Sequence, residues 1–289
     1  MKLKNHPEFM LVLCTVIWGG TFASVKVALA YAEPWFIVAS RFATAGTLFA
    51  LIHQRAWRGI SHHVILRGVL LGVTFFAGFG LQTLGLQYTS TSRSAFLTET
   101  LVLFTPLLAF FLYRKRPGAS TLTGAAIVIA GLYLLTSPAG FPEWNRGDWL
   151  TLGCAVAFSA YIIGVDRWST PETRGLLSVV QSFTVALLAL PLVFTEKFRI
   201  GDEPAFFGAM LYLIVPGTVF VVMLQMRYQP QTTPARAGVI FALEPVFATL
   251  YAVLLRLEPA SARAILGAAV VTAGVVWSEL GAERRKTNP

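Results

Sequence analysis

Four charged residues interrupt long apolar stretches of the chain and are the first candidates for chemistry: Lys26, Arg41, Glu99 and Glu244. If these stretches cross a membrane, each charge at the centre of a lipid-facing helix costs about 2.5–3.5 kcal/mol. Each should therefore face the protein interior, water or another charge. A carboxylate placed there can bind a substrate ammonium group or a proton. The alternatives are an internal salt-bridge network that fixes helix packing, and a lysine that reaches the membrane interface.

Three uncharged residues join the charges as candidates for a binding site. Trp18 stands beside Gly19 and Gly20, where missing side chains leave room for a solute. Trp18 and Tyr161 suit an aromatic or cationic solute, through stacking or cation–π contact. Gln82 is a lone amide in an apolar stretch, so it should lie against another helix or a cavity. The alternative for Trp18 is a place in the aromatic belt at the membrane interface.

No sequence pattern of a catalytic or metal centre accompanies these residues. Nucleotide-binding GxxxxGK[ST], zinc-binding HExxH and nucleophilic GxSxG patterns are absent from the sequence. Cys14 and Cys154 lie in apolar runs without a cysteine or histidine at metal-ligand spacing. The net charge of +9 does not indicate nucleic acid, because Lys and Arg lie between apolar segments rather than on one face. We therefore predict no enzyme activity, no cofactor, no metal and no nucleic-acid partner.

The composition predicts a membrane protein. The chain is 55% hydrophobic and 13% charged, whereas soluble domains have roughly 45–50% apolar and 25% charged residues. A bilayer core needs roughly 20 apolar helical residues to cross it, and lipid cannot satisfy exposed backbone groups. We predict an all-α integral membrane protein with ten transmembrane helices, at residues 9–31, 34–53, 65–88, 94–113, 122–137, 149–165, 176–195, 206–227, 237–255 and 262–280.

The distribution of basic residues predicts the orientation. With ten crossings, well over half of the 23 Lys and Arg residues fall in segments on the side of the N-terminus. Short loops rich in Lys and Arg stay in the cytoplasm. We therefore expect a multi-pass protein of the cell inner (plasma) membrane, with cytoplasmic N- and C-termini.

An internal repeat divides the chain into two halves of five helices. A shift of 143 residues places Arg93 on Arg236, and it places the Gly-Ala-Ala run at 124–126 on the same run at 267–269. A shift of 140 residues aligns the first and sixth segments. Because five is odd, the second half enters the membrane from the opposite side, as in inverted-repeat transporters whose substrate site lies at the interface of the halves. The predicted halves are residues 1–140 and 141–289.

Glycine and proline positions predict where helices bend. Proline removes a backbone hydrogen bond and kinks a helix. We predict that the third, fourth, eighth and ninth helices line the cavity and flex, with hinges at Gly78, Gly80, Pro106, Pro216, Gly217 and Pro245.

Several motifs, in order along nearly the whole chain, carry a family resemblance. They are Trp18-Gly19-Gly20-Thr21-Phe22, Arg41-Phe42, Gly85-Leu86-Gln87-Tyr88-Thr89-Ser90, Glu244-Pro245-Val246-Phe247, and Gly267-Ala268-Ala269 followed by Gly274. The chain resembles the EamA-type ten-helix carriers of the drug/metabolite transporter superfamily, and YddG-type exporters of aromatic amino acids are the nearest subgroup. The resemblance implies a basket-like bundle with a central cavity that exports amino acids or other metabolites.

The expected function is secondary transport by alternating access, with export of aromatic or related amino acids as the first hypothesis. A carrier of a drug-like cation or a nucleotide sugar is the alternative. A passive channel would need a continuous polar pore, for which the spans hold too few interior polar residues. The expected partners are the small-molecule substrate and membrane lipid, and a monomer is the default oligomeric state. The sequence specifies neither the exact solute nor a coupling ion.

Overall fold

All regular elements in the described part of the chain are helices. The computed structural model describes residues 6–54, 61–114, 117–136, 143–196, 203–254 and 261–287. The helices are α1 Pro7–Leu29, α2 Pro34–Ile52, α3 His62–Tyr88, α4 Thr91–Glu99, α5 Leu101–Tyr113, α6 Ala119–Thr136, α7 Arg146–Trp168, α8 Arg174–Val193, α9 Pro204–Ile214, a π-helix Val215–Phe220, α10 Val221–Tyr228, a 3-10 turn Gln229–Gln231, α11 Pro234–Phe241, α12 Glu244–Leu254 and α13 Ala262–Thr287.

Eight helical stretches in the described residues are long and apolar enough to cross a membrane. They correspond to eight of the ten predicted spans, and they support the prediction of an all-helical membrane protein. The two other predicted spans fall short of that length. One is the apolar helix Ala119–Leu135, and the predicted span 237–255 falls on the two short helices α11 and α12.

Three of the predicted spans contain a break. The first lies at Thr100, between α4 and α5, and the second is the π-helix between α9 and α10, which contains Pro216 and Gly217. The third separates α11 from α12. Pro245 accounts for it, because proline has no N–H to donate to the carbonyl of Phe241, four residues earlier.

The remaining predicted hinges lie inside continuous helices. Helix α3 runs unbroken through Gly78 and Gly80, and α5 runs unbroken through Pro106. The break in the fourth predicted span is therefore six residues before its proline.

Polar side chains fix the starts of three helices. The Ser90 side chain accepts a hydrogen bond from the backbone N–H of Arg93 at the start of α4. The Thr233 side chain does the same for Arg236 at the start of α11. Asn145 and Asp148 form a reciprocal capping box at the start of α7. Such caps satisfy backbone donors that a helix start leaves open, and each sets where its helix begins.

Small residues bring α6 and α13 together. A side chain at Gly131 would overlap the backbone of Val271, and one at Gly124 would meet Ser278 and the carbonyl of Gly274. Close approach through small residues is the usual basis of helix association in membranes, where apolar side chains gain little by leaving lipid.

Buried apolar side chains form three clusters. The first joins α1, α4, α5, α6, α7, α11 and α13. The second joins α2, α3, α7, α8, α10 and the π-helix, and the third joins α1, α2, α9, the end of α3 and the middle of α4. Phe158 of α7 packs against both the first and the second cluster. It also lines the interior cavity described next.

Candidate functional site

An interior cavity is lined by residues of eight helices. Its described lining contains five of the seven candidate residues from the sequence, all but Lys26 and Arg41. The lining residues are Trp18, Thr21, Phe75, Phe79, Gln82, Thr98, Glu99, Leu101, Phe158, Tyr161, Ile162, Gln225, Phe241 and Glu244.

Two carboxylates line this cavity from the ends of two short helices. Glu99 is the last residue of α4 and is 1% exposed, and neither of its carboxylate oxygens accepts a hydrogen bond from a described residue. Glu244 is the first residue of α12 and is 8% exposed. The two carboxylates interact electrostatically with each other. Because like charges repel strongly in a low-dielectric interior, a cation in the cavity would stabilise both.

Two glutamine side chains add polar atoms to the lining. Gln82 Nε2 donates a hydrogen bond of 3.3 Å to Thr98 Oγ1. Gln225 Nε2 donates one of 2.8 Å to Gln229 Oε1, whose own amide nitrogen donates to the carbonyl of Ile162. Gln225 Oε1 is buried and accepts no hydrogen bond from a described residue. The side-chain oxygens of Glu99 and Gln225 could therefore accept hydrogen bonds from a solute in the cavity.

Aromatic rings form the apolar walls of the cavity. Three ring pairs make them: Trp18 edge-on to Phe241 with centroids 5.2 Å apart, Phe75 stacked on Tyr161 at 4.2 Å, and Phe79 edge-on to Phe158 at 5.1 Å. Aromatic faces carry partial negative charge and attract both rings and cations.

Glycines shape the surroundings of these walls. Gly78 leaves the space that the Phe158 ring occupies, so it permits α7 to approach α3. The space beside Gly19 is filled by Phe247 and that beside Gly20 by Tyr212. The expectation of free room for a solute beside Trp18 is therefore wrong for these two glycines, whose role is close helix packing.

Arg41 lies next to the cavity without lining it. It is 2% exposed, and its Nε donates to Thr218 Oγ1 at 2.7 Å while Nη2 donates to the carbonyl of Gly217 at 3.2 Å. Its guanidinium lies 4.5 Å from the ring centroid of Phe79 and interacts electrostatically with Glu244. Arg41 thus links α2 to the π-helix, and it serves as a nearby countercharge for Glu244.

Lys26 lies away from the cavity, near the end of α1. Its Nζ donates hydrogen bonds to the carbonyls of Leu86 at 2.6 Å and Thr89 at 3.3 Å. These contacts hold α1 against the end of α3. The alternative of a lysine that reaches the membrane interface stays a prediction.

Several lining residues were not singled out from the sequence. Gln225 carries the same signal that marks Gln82, an amide in an apolar segment, so it was detectable. Phe75, Phe79 and Gln82 share one face of α3 at helical spacing, but the many phenylalanines of the chain hide such a pattern. Thr98 is an ordinary helix residue, and only the fold places it at the cavity.

Comparisons with known proteins show which family the whole chain resembles. The model of the EamA-like transporter family matches residues 7–137 and again residues 145–279. An uncharacterized transporter of Archaeoglobus fulgidus is 32% identical over 94% of this chain and 85% of its own length. The uncharacterized inner membrane transporter YedA of Escherichia coli is 24% identical over 92% of this chain and 88% of its own. A crystal structure of another protein, 18% identical, has a TM-score of 0.79 and covers 96% of both chains.

Proposed function

The chain belongs to the EamA-like transporter family, and from that premise we propose that it carries small solutes with an ammonium group and an aromatic ring through its interior cavity. Aromatic amino acids are the first candidate substrates, and export from the cell is the proposed direction. The E. coli relative is named an inner membrane transporter, which supports placing this chain in the inner membrane too. We also propose cytoplasmic N- and C-termini, from the distribution of Lys and Arg.

The observation that carries the proposal is a group of buried oxygen atoms in the cavity that accept no hydrogen bond from a described residue. Both oxygens of Glu99 and one oxygen of Gln225 are buried without a hydrogen bond from a described residue. Unsatisfied buried polar groups are costly, and a buried charge is the costliest of them. A primary ammonium group brings one positive charge and three N–H donors. It therefore supplies what these atoms lack.

The aromatic walls support a ring on the same solute. Trp18 and Phe241 stand on one pair of helices, and the rings of α3 and α7 stand on another. Stacking or edge contact with a bound ring would add apolar contact. Such pockets, mostly apolar with a few polar anchors, are typical of small-molecule sites.

A second candidate, an amine or drug-like cation without a carboxylate, is favoured by a specific observation. The described lining residues include two glutamates and no lysine, arginine or histidine. The carboxylate of an amino acid would need Arg41, which is engaged by Thr218 and Gly217 beside the cavity. A nucleotide sugar is disfavoured, because its diphosphate would be repelled by Glu99 and Glu244.

We propose that the architecture is an inverted repeat of ten transmembrane helices, with halves at residues 1–140 and 141–289. The two matches of one family model support two related halves. The cavity lining supports them as well, because it contains repeat-equivalent pairs. At the shift of 140 these are Trp18 with Phe158 and Thr21 with Tyr161, and at 143 they are Gln82 with Gln225, Thr98 with Phe241 and Leu101 with Glu244.

In alternating access, the cavity-lining helices would bend at the positions where their regular hydrogen bonding is interrupted. Breaks at Thr100, between α11 and α12, and at the π-helix interrupt regular hydrogen bonding beside the cavity. π-bulges recur at functional sites, and such positions absorb backbone changes at low cost. Pro216, Gly217 and Pro245 lie at two of these breaks, so they remain the proposed hinges.

Counterflow in proteoliposomes tests the proposal. Purified protein is reconstituted into vesicles loaded with an unlabelled solute, and uptake of the same labelled solute is measured. The panel is tryptophan, tryptamine, indole-3-propionate and 3-ethylindole, which share a ring and differ in ammonium and carboxylate. Saturable exchange of tryptophan or tryptamine, without indole-3-propionate, supports the proposal. The ratio of tryptophan exchange to tryptamine exchange distinguishes an amino-acid carrier from a carrier of amines without a carboxylate. Exchange of indole-3-propionate alone, or ion conductance without exchange, would contradict both functions.

A further inference from the structure

Two clusters of charged residues lie at opposite ends of α1. The Glu8 cluster consists of Glu8, Arg236 and Glu279. The Asp148 cluster consists of Lys26, Thr89, Arg93 and Asp148. Glu8 and Lys26 are 18 residues apart in α1, which corresponds to about 27 Å along the helix axis. Trp18, in the wall of the cavity, lies between them, so the cavity is between the two clusters.

The Asp148 cluster joins the starts of α4 and α7. Arg93 Nη2 lies 2.7 Å from Asp148 Oδ2, and Thr89 Oγ1 donates to Asp148 Oδ1 at 3.0 Å. Lys26 donates to the carbonyl of Thr89, which brings α1 into the same cluster. The Asp148 side chain is fully buried. The proposed first and second halves of the chain are thus held together at this end.

The Glu8 cluster joins the starts of α11 and α1 to the C-terminal half of α13. Arg236 Nη2 lies 3.2 Å from Glu8 Oε1, and Arg236 Nε donates to Glu279 Oε1 at 3.1 Å. A second bond from Arg236 reaches the other oxygen of Glu279. The side chains of Glu8 and Glu279 are 30% and 19% exposed. This cluster is therefore wetter than the one at Asp148.

The ion pairs Arg93–Asp148 and Arg236–Glu8 occupy equivalent positions in the proposed repeat, but the half that supplies the arginine differs between them. At the shift of 143, Arg93 corresponds to Arg236, and Ser90, which caps α4, corresponds to Thr233, which caps α11. At the shift of 140, Glu8 corresponds to Asp148. In one pair the first half supplies the arginine and the second half the carboxylate, and in the other pair the roles are reversed.

Helix dipoles disfavour the arginine and favour the carboxylate of each pair. Arg93 and Arg236 are the third residues of α4 and α11, where the positive end of the helix dipole disfavours a cation. Glu8 and Asp148 lie in the first turns of α1 and α7, where the same dipole favours an anion. Separating Arg93 from Asp148, or Arg236 from Glu8, would remove a carboxylate that offsets this effect, and Arg236 would keep its bonds to Glu279. Each pair joins the two proposed halves, so it must break wherever the halves separate.

We propose that the Asp148 cluster and the Glu8 cluster are the two gates of the transport cycle, which open in alternation to expose the cavity to one face at a time. This inference rests on the proposed alternating-access function. Both ion pairs are formed here, and the polar residues Glu99, Gln225 and Glu244 between them are at most 8% exposed. The Glu8 cluster opens more readily in the absence of solute, because water already reaches both of its carboxylates, whereas Asp148 is fully buried.

Thiol labelling from each face tests the gates without knowledge of the substrate. Cys14 and Cys154 are replaced by alanine, and Thr21, in the cavity wall, becomes the reporter in Thr21→Cys. A membrane-impermeant maleimide is added to right-side-out or inverted vesicles. A protease-cleavable tag at the N-terminus identifies the face. The parent should label faster from the face of the Glu8 cluster.

Variants at each gate should move the labelling in opposite directions. Asp148→Asn keeps the size of the side chain and removes its charge, and it should raise labelling from its own face at least fivefold while labelling from the other face falls. Arg236→Gln should do the reverse. If Arg236→Gln does not fold, as judged by gel filtration in detergent, Glu8→Gln with Glu279→Gln replaces it. Arg93→Lys should resemble the parent.

A matched control is Arg227→Gln, which removes an exposed arginine that lies over Tyr228. It should label like the parent from both faces. Gate variants that fold and label like this control, or that label faster from both faces alike, would overturn the proposal. Opposite shifts in labelling without exchange of any tested indole would leave the gates standing and reject the proposed substrates instead.

Discussion

The broken helix pairs α4–α5 and α11–α12 are equivalent in the proposed repeat, yet they present their carboxylates differently. At the shift of 143 the break at Thr100 falls on Leu243. Glu99 ends its helix, where the dipole disfavours an anion, whereas Glu244 begins its helix, where the dipole favours one. Glu244 also has Arg41 as a countercharge. The difference teaches that the protein offers Glu244 a favourable helix position and a countercharge, whereas Glu99 ends its helix and accepts no hydrogen bond from a described residue. In the proposed function, the ligand supplies that missing partner.

Glu99→Gln should have the largest effect on transport. Loss of a charged hydrogen bond costs about 1.5–3 kcal/mol, so tryptamine affinity should fall at least about tenfold. Stability should rise by about 1 kcal/mol, because a buried unpaired carboxylate is removed. Counterflow and thermal unfolding in detergent measure the two effects. A variant that is less stable and transports normally would show that Glu99 is structural.

Glu244→Gln should act mainly on stability. It leaves the buried Arg41 without its countercharge, and the expected cost is about 1–3 kcal/mol, reduced by the bonds of Arg41 to Thr218 and Gly217. Thermal unfolding measures this loss. Unchanged uptake with unchanged pH dependence would remove Glu244 from the transport mechanism, whereas a greater loss of transport than in Glu99→Gln would reverse the comparison.

Gln225 and Gln82, which correspond in the proposed repeat, should also differ in how much they contribute to ligand binding. Gln225→Leu removes the open acceptor and should weaken tryptamine binding about fivefold, as for a hydrogen bond of about 1 kcal/mol. Both glutamines donate a hydrogen bond within the protein, Gln225 to Gln229 and Gln82 to Thr98, so both variants should lower stability. The matched variant Gln82→Leu removes no open acceptor, so it should leave tryptamine affinity nearly unchanged. Isothermal titration and thermal unfolding separate these outcomes. Equal effects on binding would indicate that the two amides are interchangeable.

Proline replacements should have the smallest effects. Pro245→Ala restores an N–H at the break before α12, so it should straighten that helix and slow exchange by about twofold, well under 1.4 kcal/mol in barrier height. Pro106→Ala lies within the continuous α5 and should leave exchange unchanged. Equal initial rates for both variants would contradict a hinge at Pro245.

The sequence predicted the helices well where an apolar run is long and unbroken. It marked Pro245 as a hinge in the ninth span, and the structure divides that span into α11 and α12 just before this proline. It also placed hinges at Gly78, Gly80 and Pro106, which lie inside the continuous helices α3 and α5. Length and hydropathy therefore predict spans better than they predict bends.

The cavity could be predicted in part. Charged, amide and aromatic residues in apolar helices stand out by their cost in lipid, and this found Glu99, Glu244, Gln82, Trp18 and Tyr161. The partners of Arg93 and Arg236 could not be found this way. Asp148 is 55 residues from Arg93, and Glu8 is 228 residues from Arg236. Only the packing of the two halves brings these charges together.

The most direct test of the account is an experimental structure of the chain with tryptamine bound. The account predicts the amine nitrogen about 2.8 Å from a carboxylate oxygen of Glu99, the distance of a charge-assisted hydrogen bond, with the indole ring between the walls of Trp18 and Phe158. A ligand bound outside the cavity, or one whose amine contacts Glu244 and leaves Glu99 without a partner, would contradict it.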